Sequence, residues 1–313
     1  MADTFRVLVA DPIHEDGRTA LAADPRIKVE VATGLDEAGL VAKIPDYDAI
    51  IVRSKSRVTK PIIAAGRALK VIGRAGIGVD NIDVPAATER GIVVFNTPDA
   101  NATTTAELTL AHLMSLSRHL PRADRSVRAG EWTPTRFVGT ELAGKTIGVV
   151  GFGTIGRLVA ERCAALKMHV VAFDPFVTKE VMQQSGAVPA TLDDLLANSD
   201  YVTLHCPMTE KTRNLISAEN IAKMKRGARL INCARGGLVD EAALVEALNS
   251  GHIAGAALDV FAKEPPAPDS PLIQNEHVVL TPHLGASTEE AQQAVSVKIA
   301  EVIGKFLTTG VAE

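Results

Sequence analysis

Aromatic side chains are scarce in this 313-residue sequence, at 4% of positions with a single Trp, and cysteine occurs only three times. With so few rings the cores must be filled by Val, Ile, Leu and Ala, within the 46% of residues that are apolar. Such cores suit parallel sheets covered by helices. Cys163, Cys206 and Cys233 are odd in number, far apart, and in or beside predicted core elements. They therefore read as buried thiols rather than as a disulfide framework, a redox pair or metal ligands. No apolar run approaches a membrane span, and the run in MADTFRVLVADP is too short for a signal peptide, so a cytoplasmic protein is expected. Net charge is −4 with both signs interspersed, which offers no field for nucleic acid and no membrane-surface patch. Any anion site must be a local cluster of basic residues.

What the chain does have is organised around Thr146 to Arg157, TIGVVGFGTIGR. A β-branched run, Thr146 to Val150, leads into Gly151, Gly153 and Gly156 in G-x-G-x-x-G spacing and then into an apolar-periodic segment, Leu158 to Met168. This is the pattern of strand, tight turn and helix. Glycine lets the backbone turn sharply and approach a pyrophosphate, and the helix starting there directs unpaired N–H groups and a partial positive charge at the phosphates. The next predicted strand, His169 to Phe173, ends on Asp174, where a dinucleotide fold needs a carboxylate for the adenosine ribose hydroxyls. That carboxylate would repel the extra phosphate of NADP, and Pro175-Phe176-Val177 holds no arginine to receive one. NAD is the expected cofactor.

The length suggests roughly two domains. Ahead of the fingerprint, strands are predicted at Arg6 to Ala10, Ile27 to Ala32, Ala49 to Val52, Lys70 to Arg74 and Ile92 to Asn96. A helical pattern from Thr104 to about Ala129 should break near Leu120 because of Pro121. Gly130 to Gly144, with Trp132 and Phe137, has no regular pattern and reads either as a dimer contact or as a loop against its own domain. From the fingerprint onward six strands are predicted, at Thr146 to Val150, His169 to Phe173, Tyr201 to Cys206, Ala228 to Cys233, Gly255 to Val260 and His277 to Leu280. A last helix, Thr288 to Leu307, follows a predicted N-cap at Ser287 and returns the chain to the first domain. The expected fold class is α/β, two doubly wound parallel-sheet domains. A Rossmann dinucleotide-binding domain, residues 99–283, is inserted into a flavodoxin-like substrate-binding domain, residues 1–98 and 284–313.

Ligands of such sheets lie beyond the carboxyl ends of the strands. The third strand runs into Arg53-Ser54-Lys55-Ser56. The fourth runs into Arg74-Ala75-Gly76-Ile77-Gly78, a glycine-bearing loop expected to open a helix and so to cradle an anion; ordinary solvated charges are the alternative reading. Arg235, in NCARGG after a later strand, has the planar fork that binds carboxylates bidentately. His283, in TPHLGAS, stands just past a strand at the domain crossing, and imidazole is the side chain that exchanges a proton near neutral pH. Of the eight histidines its best rival is His205, at another strand end. Glu264, ahead of a proline run, is the candidate carboxylate to raise the imidazole pKa and hold its tautomer. Spacing alone does not join these three, and each also reads as a surface or packing residue.

The motifs NCARGG, LDVF-x-x-EPP and TPHLGAST, in that order after GFGTIGR and Asp174, resemble the D-isomer-specific 2-hydroxyacid dehydrogenase family over nearly the whole chain. RAGIGVDNID, VRS-x-S and FVGTEL are similar to its members that act on 3-phospho-D-glycerate. The resemblance implies NAD-dependent oxidation of that acid to 3-phosphohydroxypyruvate, the first step of the phosphorylated route to serine. Arg235 would bind the substrate carboxylate and keto oxygen, Glu264 would raise the pKa of His283, and His283 would be the acid/base. NAD contacts are implied at Gly151, Gly153, Thr154, Ile155, Gly156, Asp174, Cys206, Ala234, Asp259 and Gly285. A carboxylate cradle is implied at Gly76 and Gly78 with Asn101 nearby, a phosphate clasp at Arg53 and Lys55 with Arg136 across a dimer interface, and further substrate contacts at Ser54 and Arg74. Lys55 departs from members that carry a small residue there, although others carry a basic one. A homodimer or a higher homo-oligomer is implied, with domain closure about Pro98 to Asn101 and Pro282 to Gly285, and no metal.

Many of these members continue into domains that sense serine. This sequence stops at Glu313 after the returning helix, as either a short form or a catalytic fragment would, so no serine inhibition through such a domain is expected within these residues. Two other readings stay open: a dehydrogenase or reductase of an unphosphorylated D-2-hydroxy acid such as glycerate, glyoxylate or lactate, and an NAD-responsive binding module of the kind that resembles this family in transcriptional corepressors.

Overall fold

In the computed structural model, which describes residues 4–312, the short apolar runs pair as parallel strands. The chain divides into two units, Met1–Asn101 with Ala286–Glu313, and Ala102–Gly285. In the first unit β1 (Phe5–Val9), α1 (Glu15–Ala22), β2 (Ile27–Val31), α2 (Glu37–Lys43), β3 (Ala49–Val52), α3 (Lys60–Ala65), β4 (Val71–Arg74), α4 (Val84–Glu89) and β5 (Val93–Phe95) follow in order. The sheet order is β2-β1-β3-β4-β5, the flavodoxin-like order. Successive strand residues face opposite sides. Leu8, Ile50 and Ile72 pack with Leu40, Ile62 and Ala87 of α2 to α4, while Val7, Val9, Ile51 and Val71 fill the other face.

The second unit begins with α5 (Ala102–Arg118) and α6 (Leu120–Arg128). The break between them falls at His119, whose φ of 54° lies outside the helical range. Pro121 fits the first turn of α6, where its missing N–H costs nothing. Pro134–Phe137 forms a short 3-10 turn. The alternation then runs β6 (Thr146–Val150), α7 (Thr154–Ala165), β7 (His169–Phe173), α8 (Lys179–Gln184), β8 (Val188–Pro189), α9 (Leu192–Asn198), β9 (Tyr201–Leu204), α10 (Ala218–Lys223), β10 (Ala228–Asn232), α11 (Glu241–Asn249), β11 (Ile253–Leu258), α12 (Pro271–Gln274) and β12 (Val278–Leu280). The sheet is β12-β11-β10-β9-β6-β7-β8, the Rossmann order with one further strand. The further strand is β12, and the sheet has seven strands where six were expected because β8, the outer strand beside β7, is absent from the sequence pattern. Strand β8 is two residues long, ends on Pro189 and pairs only with β7, so it leaves no periodicity, and an edge is where proline is tolerated. The α5 residues Ala106, Leu113 and Leu116 pack with Val159 and Cys163 of α7 on one face of this sheet. Cys163 and Cys233 are buried, but Cys206 is only half-buried, because β9 ends at Leu204 and the cysteine falls in the loop beyond it.

The last helix, α13 (Glu289–Thr309), belongs to the first unit. Its N-cap is Thr288, whose Oγ1 accepts from Ala291 N at 3.2 Å, and not Ser287 as the sequence suggested. From Thr288 the acids Glu289 and Glu290 fall in the first turn, where the helix dipole favours them. Val295, Ile299 and Ile303 complete the core over Val7 and Val9. Helices α1 and α13 touch closely at Gly17, where a Cβ would lie 2.6 Å from the Ser296 carbonyl oxygen. Gly17→Ala should therefore destabilise the protein by about 1–3 kcal/mol through overpacking. Urea unfolding checks this, and an unchanged or raised midpoint would reject the contact.

Candidate active site

The three fingerprint glycines meet three different demands. Gly151 has φ +91°, and a Cβ there would lie 2.6 Å from the His205 carbonyl carbon and 2.7 Å from Cys206 N. The turn out of β6 thus passes against the loop after β9. Gly156, in α7, abuts the Gly151 carbonyl with no room for a side chain. At Gly153 the opposite holds, for its Cβ direction meets nothing within 4 Å. Gly153 is also the N-cap of α7 and no side chain caps that end, so approachable backbone and a helix N-terminus coincide. Thr154 and Ile155 form the first turn of α7. At the end of β7 the Asp174 carboxylate accepts from Phe152 N and Phe176 N, both at 2.8 Å, which ties it to the glycine turn. This set fits a dinucleotide: an exposed helix N-terminus for the pyrophosphate, and an acid where the ribose hydroxyls would lie.

Arg235, Glu264 and His283 follow β10, β11 and β12, which are neighbours in the sheet. Parallel strands deliver their loops to one edge, so residues far apart in sequence emerge side by side. Asn232, at the end of β10, folds the first loop: its Oδ1 accepts from Ala234 N at 3.0 Å and its Nδ2 donates to Arg235 O at 2.8 Å. Gly236 lies against the Phe261 carbonyl with no space for a Cβ, which lets the Arg235 loop approach the loop of Glu264. There Phe261 N donates to Glu264 Oε1 at 3.1 Å, and Oε2 lies 2.8 Å from His283 Nδ1. An ionised carboxylate only accepts, so Nδ1 carries the hydrogen and Nε2 is left to take or release a proton. Partial burial opposes the charge on Glu264, but the hydrogen bonds from His283 and Phe261 N and the nearby Arg235 cation outweigh it. The carboxyl is held below its ordinary value and stays ionised near neutral pH.

His283 stands at φ +57°, a left-handed conformation that a non-glycine residue keeps only when its surroundings enforce it. The fully buried Asp259 does so. His283 N donates to the Asp259 carbonyl at 2.9 Å, Leu284 N to its Oδ1 at 2.7 Å and Gly285 N to its Oδ2 at 2.9 Å. The rival His205 has its Nε2 against Thr203 Oγ1 at 2.9 Å, and burial pushes its pKa down to about 3. An enclosed ring that stays neutral is poorly suited to carrying a proton to a ligand.

In the first unit the loops after β3 and β4 are pinned together. Buried Asp11 accepts from Arg53 N at 2.6 Å, Ser56 N at 3.1 Å and Ser56 Oγ at 2.8 Å. From the other side Asn81 Nδ2 donates to the carbonyls of Arg53 and Ser56, both at 2.6 Å, and Val58 bridges to Ile82. Ser54 and Lys55 are exposed at the loop tip. The Arg74 guanidinium lies where a Cβ of Gly76 would be, and Gly76 has φ +147°. The Arg74 to Gly78 loop does not open a helix, which corrects the sequence reading. Helix α4 starts only at Val84, and the Asp83 carboxylate already caps it by accepting from Ala86 N at 3.0 Å. What remains for an anion is loop backbone and guanidinium, without a helix dipole. Asn101 is buried. Arg136, in the second unit, is exposed and paired with Glu131 at 3.0 Å.

The sequence reading did not single out Asp11, Asn81 or Asn232. Asp11 and Asn232 sit at strand carboxyl ends, which was a usable signal, but Asp11 acts on a residue 42 positions away.

A Rossmann unit with this fingerprint and an imidazole–carboxylate pair beside an arginine defines an NAD-linked dehydrogenase class. Residues 110–285 match the family model described as D-isomer specific 2-hydroxyacid dehydrogenase, NAD binding domain, and the chain belongs to this family. It is 50% identical over 299 residues to the D-3-phosphoglycerate dehydrogenase of Archaeoglobus fulgidus, covering 96% of this chain and 56% of that protein. The protein of the same name from Synechocystis is 52% identical over 302 residues, at 96% and 54% coverage. The chain spans a little over half the length of these relatives. Among solved structures, a glyoxylate reductase from Paecilomyes thermophila superposes with a TM-score of 0.91 at 30% identity, covering 100% of this chain and 98% of that one.

The glycine geometry makes a paired prediction. Gly153→Ala should weaken NADH binding while leaving the melting temperature unchanged, because the space is open until a ligand fills it. Gly156→Ala should lower the melting temperature as well. NADH fluorescence titration and thermal unfolding separate the two, and equal melting losses would contradict the assignment of Gly153.

Proposed function

We propose that this protein oxidises 3-phospho-D-glycerate to 3-phosphohydroxypyruvate with NAD. The observation that carries the reading is the Glu264–His283 pair at 2.8 Å, on the same sheet edge as Arg235 and in the same unit as the fingerprint. His283 Nε2 accepts the hydroxyl proton of the substrate as the hydrogen on the same carbon leaves with its electron pair, so that the alcohol becomes a ketone. The bound NAD supplies the hydride acceptor. Glu264 supports the imidazolium that forms, and the Arg235 fork holds the substrate carboxylate and the oxygen that becomes the keto group. Asp174 holds the ribose, Thr154, Ile155, Cys206, Ala234, Asp259 and Gly285 border the cofactor, and Asp259 also holds the loop of His283. Arg53 and Lys55 take the phosphate together with Arg136 of a second subunit, Gly76, Gly78 and Asn101 take the carboxylate side, and Ser54 and Arg74 are further substrate contacts.

A homodimer is supported by the run of apolar side chains left in water, Leu120, Val127, Trp132 and Val138. Among the described residues no helix is long and apolar enough to cross a membrane. A cytoplasmic location is consistent with three free thiols.

A substrate panel followed by NADH absorbance tests the assignment. Preference for 3-phospho-D-glycerate over D-glycerate supports it, and equal or better use of D-glycerate, glyoxylate or lactate replaces it with the unphosphorylated reading. NAD binding without turnover of any of these acids would instead favour the corepressor-like module. His283→Ala should lower turnover by about two to four orders of magnitude, and a near-wild-type rate removes His283 from the role. Glu264→Gln should lower turnover and move the pH–rate profile toward lower pH, because the imidazolium loses its carboxylate. An unshifted profile would count against the pairing.

A further inference from the structure

We propose that His112, a buried histidine of α5 with no part in the proton transfer above, is a positioning residue that holds the His283 loop through Thr281 and Asp259. The inference rests on reading His283 as the group that moves the proton. Thr281 Oγ1 lies 2.6 Å from Asp259 Oδ1 and 3.0 Å from His112 Nε2. Because the carboxylate can only accept, the threonine hydrogen points to Asp259, and the hydroxyl oxygen must then accept from His112 Nε2–H. The direction of the chain is thereby set, from imidazole to hydroxyl to carboxylate. The same carboxylate receives Leu284 N at 2.7 Å and Gly285 N at 2.9 Å, the two amides that follow His283.

Helix α5 grips this loop at its other end too. Thr105 Oγ1 donates to Gly285 O at 2.8 Å. Thr105 and His112 are seven residues apart, two helical turns, and so lie on one face of α5 about 10 Å apart along its axis. One rigid helix therefore pins both ends of the segment Thr281 to Gly285, with the left-handed His283 between them. Burial pushes the His112 imidazole below its ordinary pKa against the pull of the Asp259 carboxylate, so the ring remains a neutral, single-hydrogen donor in the range where the enzyme would work. Without that donor the Thr281 hydroxyl is free to rotate, and the carboxylate loses the contact that orients it.

The test compares His112→Leu, which keeps bulk and removes the donor, with His112→Gln, which returns an N–H near the position of Nε2. Steady-state kinetics with 3-phospho-D-glycerate and hydrogen–deuterium exchange of the peptide holding Leu284 and Gly285 are both read. The Leu variant should lose about tenfold in kcat, the size of one buried hydrogen bond, with KM for NAD unchanged and faster exchange at those amides. The Gln variant should recover both. Equal losses in the two variants, or wild-type exchange in the Leu variant, overturn the proposal. If the unaltered protein turns over no hydroxy acid, the functional reading fails, while the exchange comparison still decides whether His112 holds the loop. Should His112→Leu not fold, Thr105→Val is read in the same way, and unchanged exchange and kcat overturn the grip of α5.

Discussion

A carboxylate withdrawn from water has to be surrounded by donors, and much of the candidate site follows from how Asp259 meets that demand. It directly follows β11, which lies between the strands that lead to Arg235 and His283. Its oxygens are satisfied by Thr281 Oγ1 and by the amides of Leu284 and Gly285. A buried acceptor left unmatched costs about 1–3 kcal/mol or more, so the loop is driven to present those amides, and the backbone of His283 takes the left-handed conformation that allows it. The imidazole then reaches Glu264 as a consequence of backbone geometry, not of a flexible side chain finding its partner.

The first unit uses the same device on a different loop. Asp11 gathers Arg53 N and Ser56 from one side, and Asn81 gathers the two carbonyls from the other. A loop with cations at its tip is thus fixed at its base. This matters in a protein of net charge −4, where no general field draws anions in and recognition has to come from locally placed groups. Glycine serves the complementary purpose. Gly17, Gly151, Gly156 and Gly236 let backbones touch, whereas Gly153 keeps a face open, so the same residue type closes packing in some places and leaves room in another.

Helix α5 links fold and chemistry. Its apolar residues Ala106, Leu113 and Leu116 belong to the core under the sheet, and its polar residues on a neighbouring line, Thr105 and His112, meet the two ends of the His283 loop. Packing of the helix and placement of the imidazole are therefore not independent, and a change that shifts α5 on the sheet is transmitted to the candidate site through two hydrogen bonds.

By itself the sequence determined the local patterns: parallel α/β alternation from apolar periodicity, the glycine turn between β6 and α7, the acid at Asp174, and the strand-end placing of Arg235 and His283. Each of these is written within a dozen or so neighbouring residues. Tertiary structure alone decided that β10, β11 and β12 are neighbours, that Asp11 and Asn81 clamp Arg53 to Ser56, that β8 adds an edge, and that α4 is capped away from the Gly76 loop. Those depend on strand order and on contacts between residues far apart along the chain. A histidine buried against a threonine hydroxyl, like His112, reads in one dimension as one more residue of an amphipathic helix, because its partner is set by how that helix lies on the sheet.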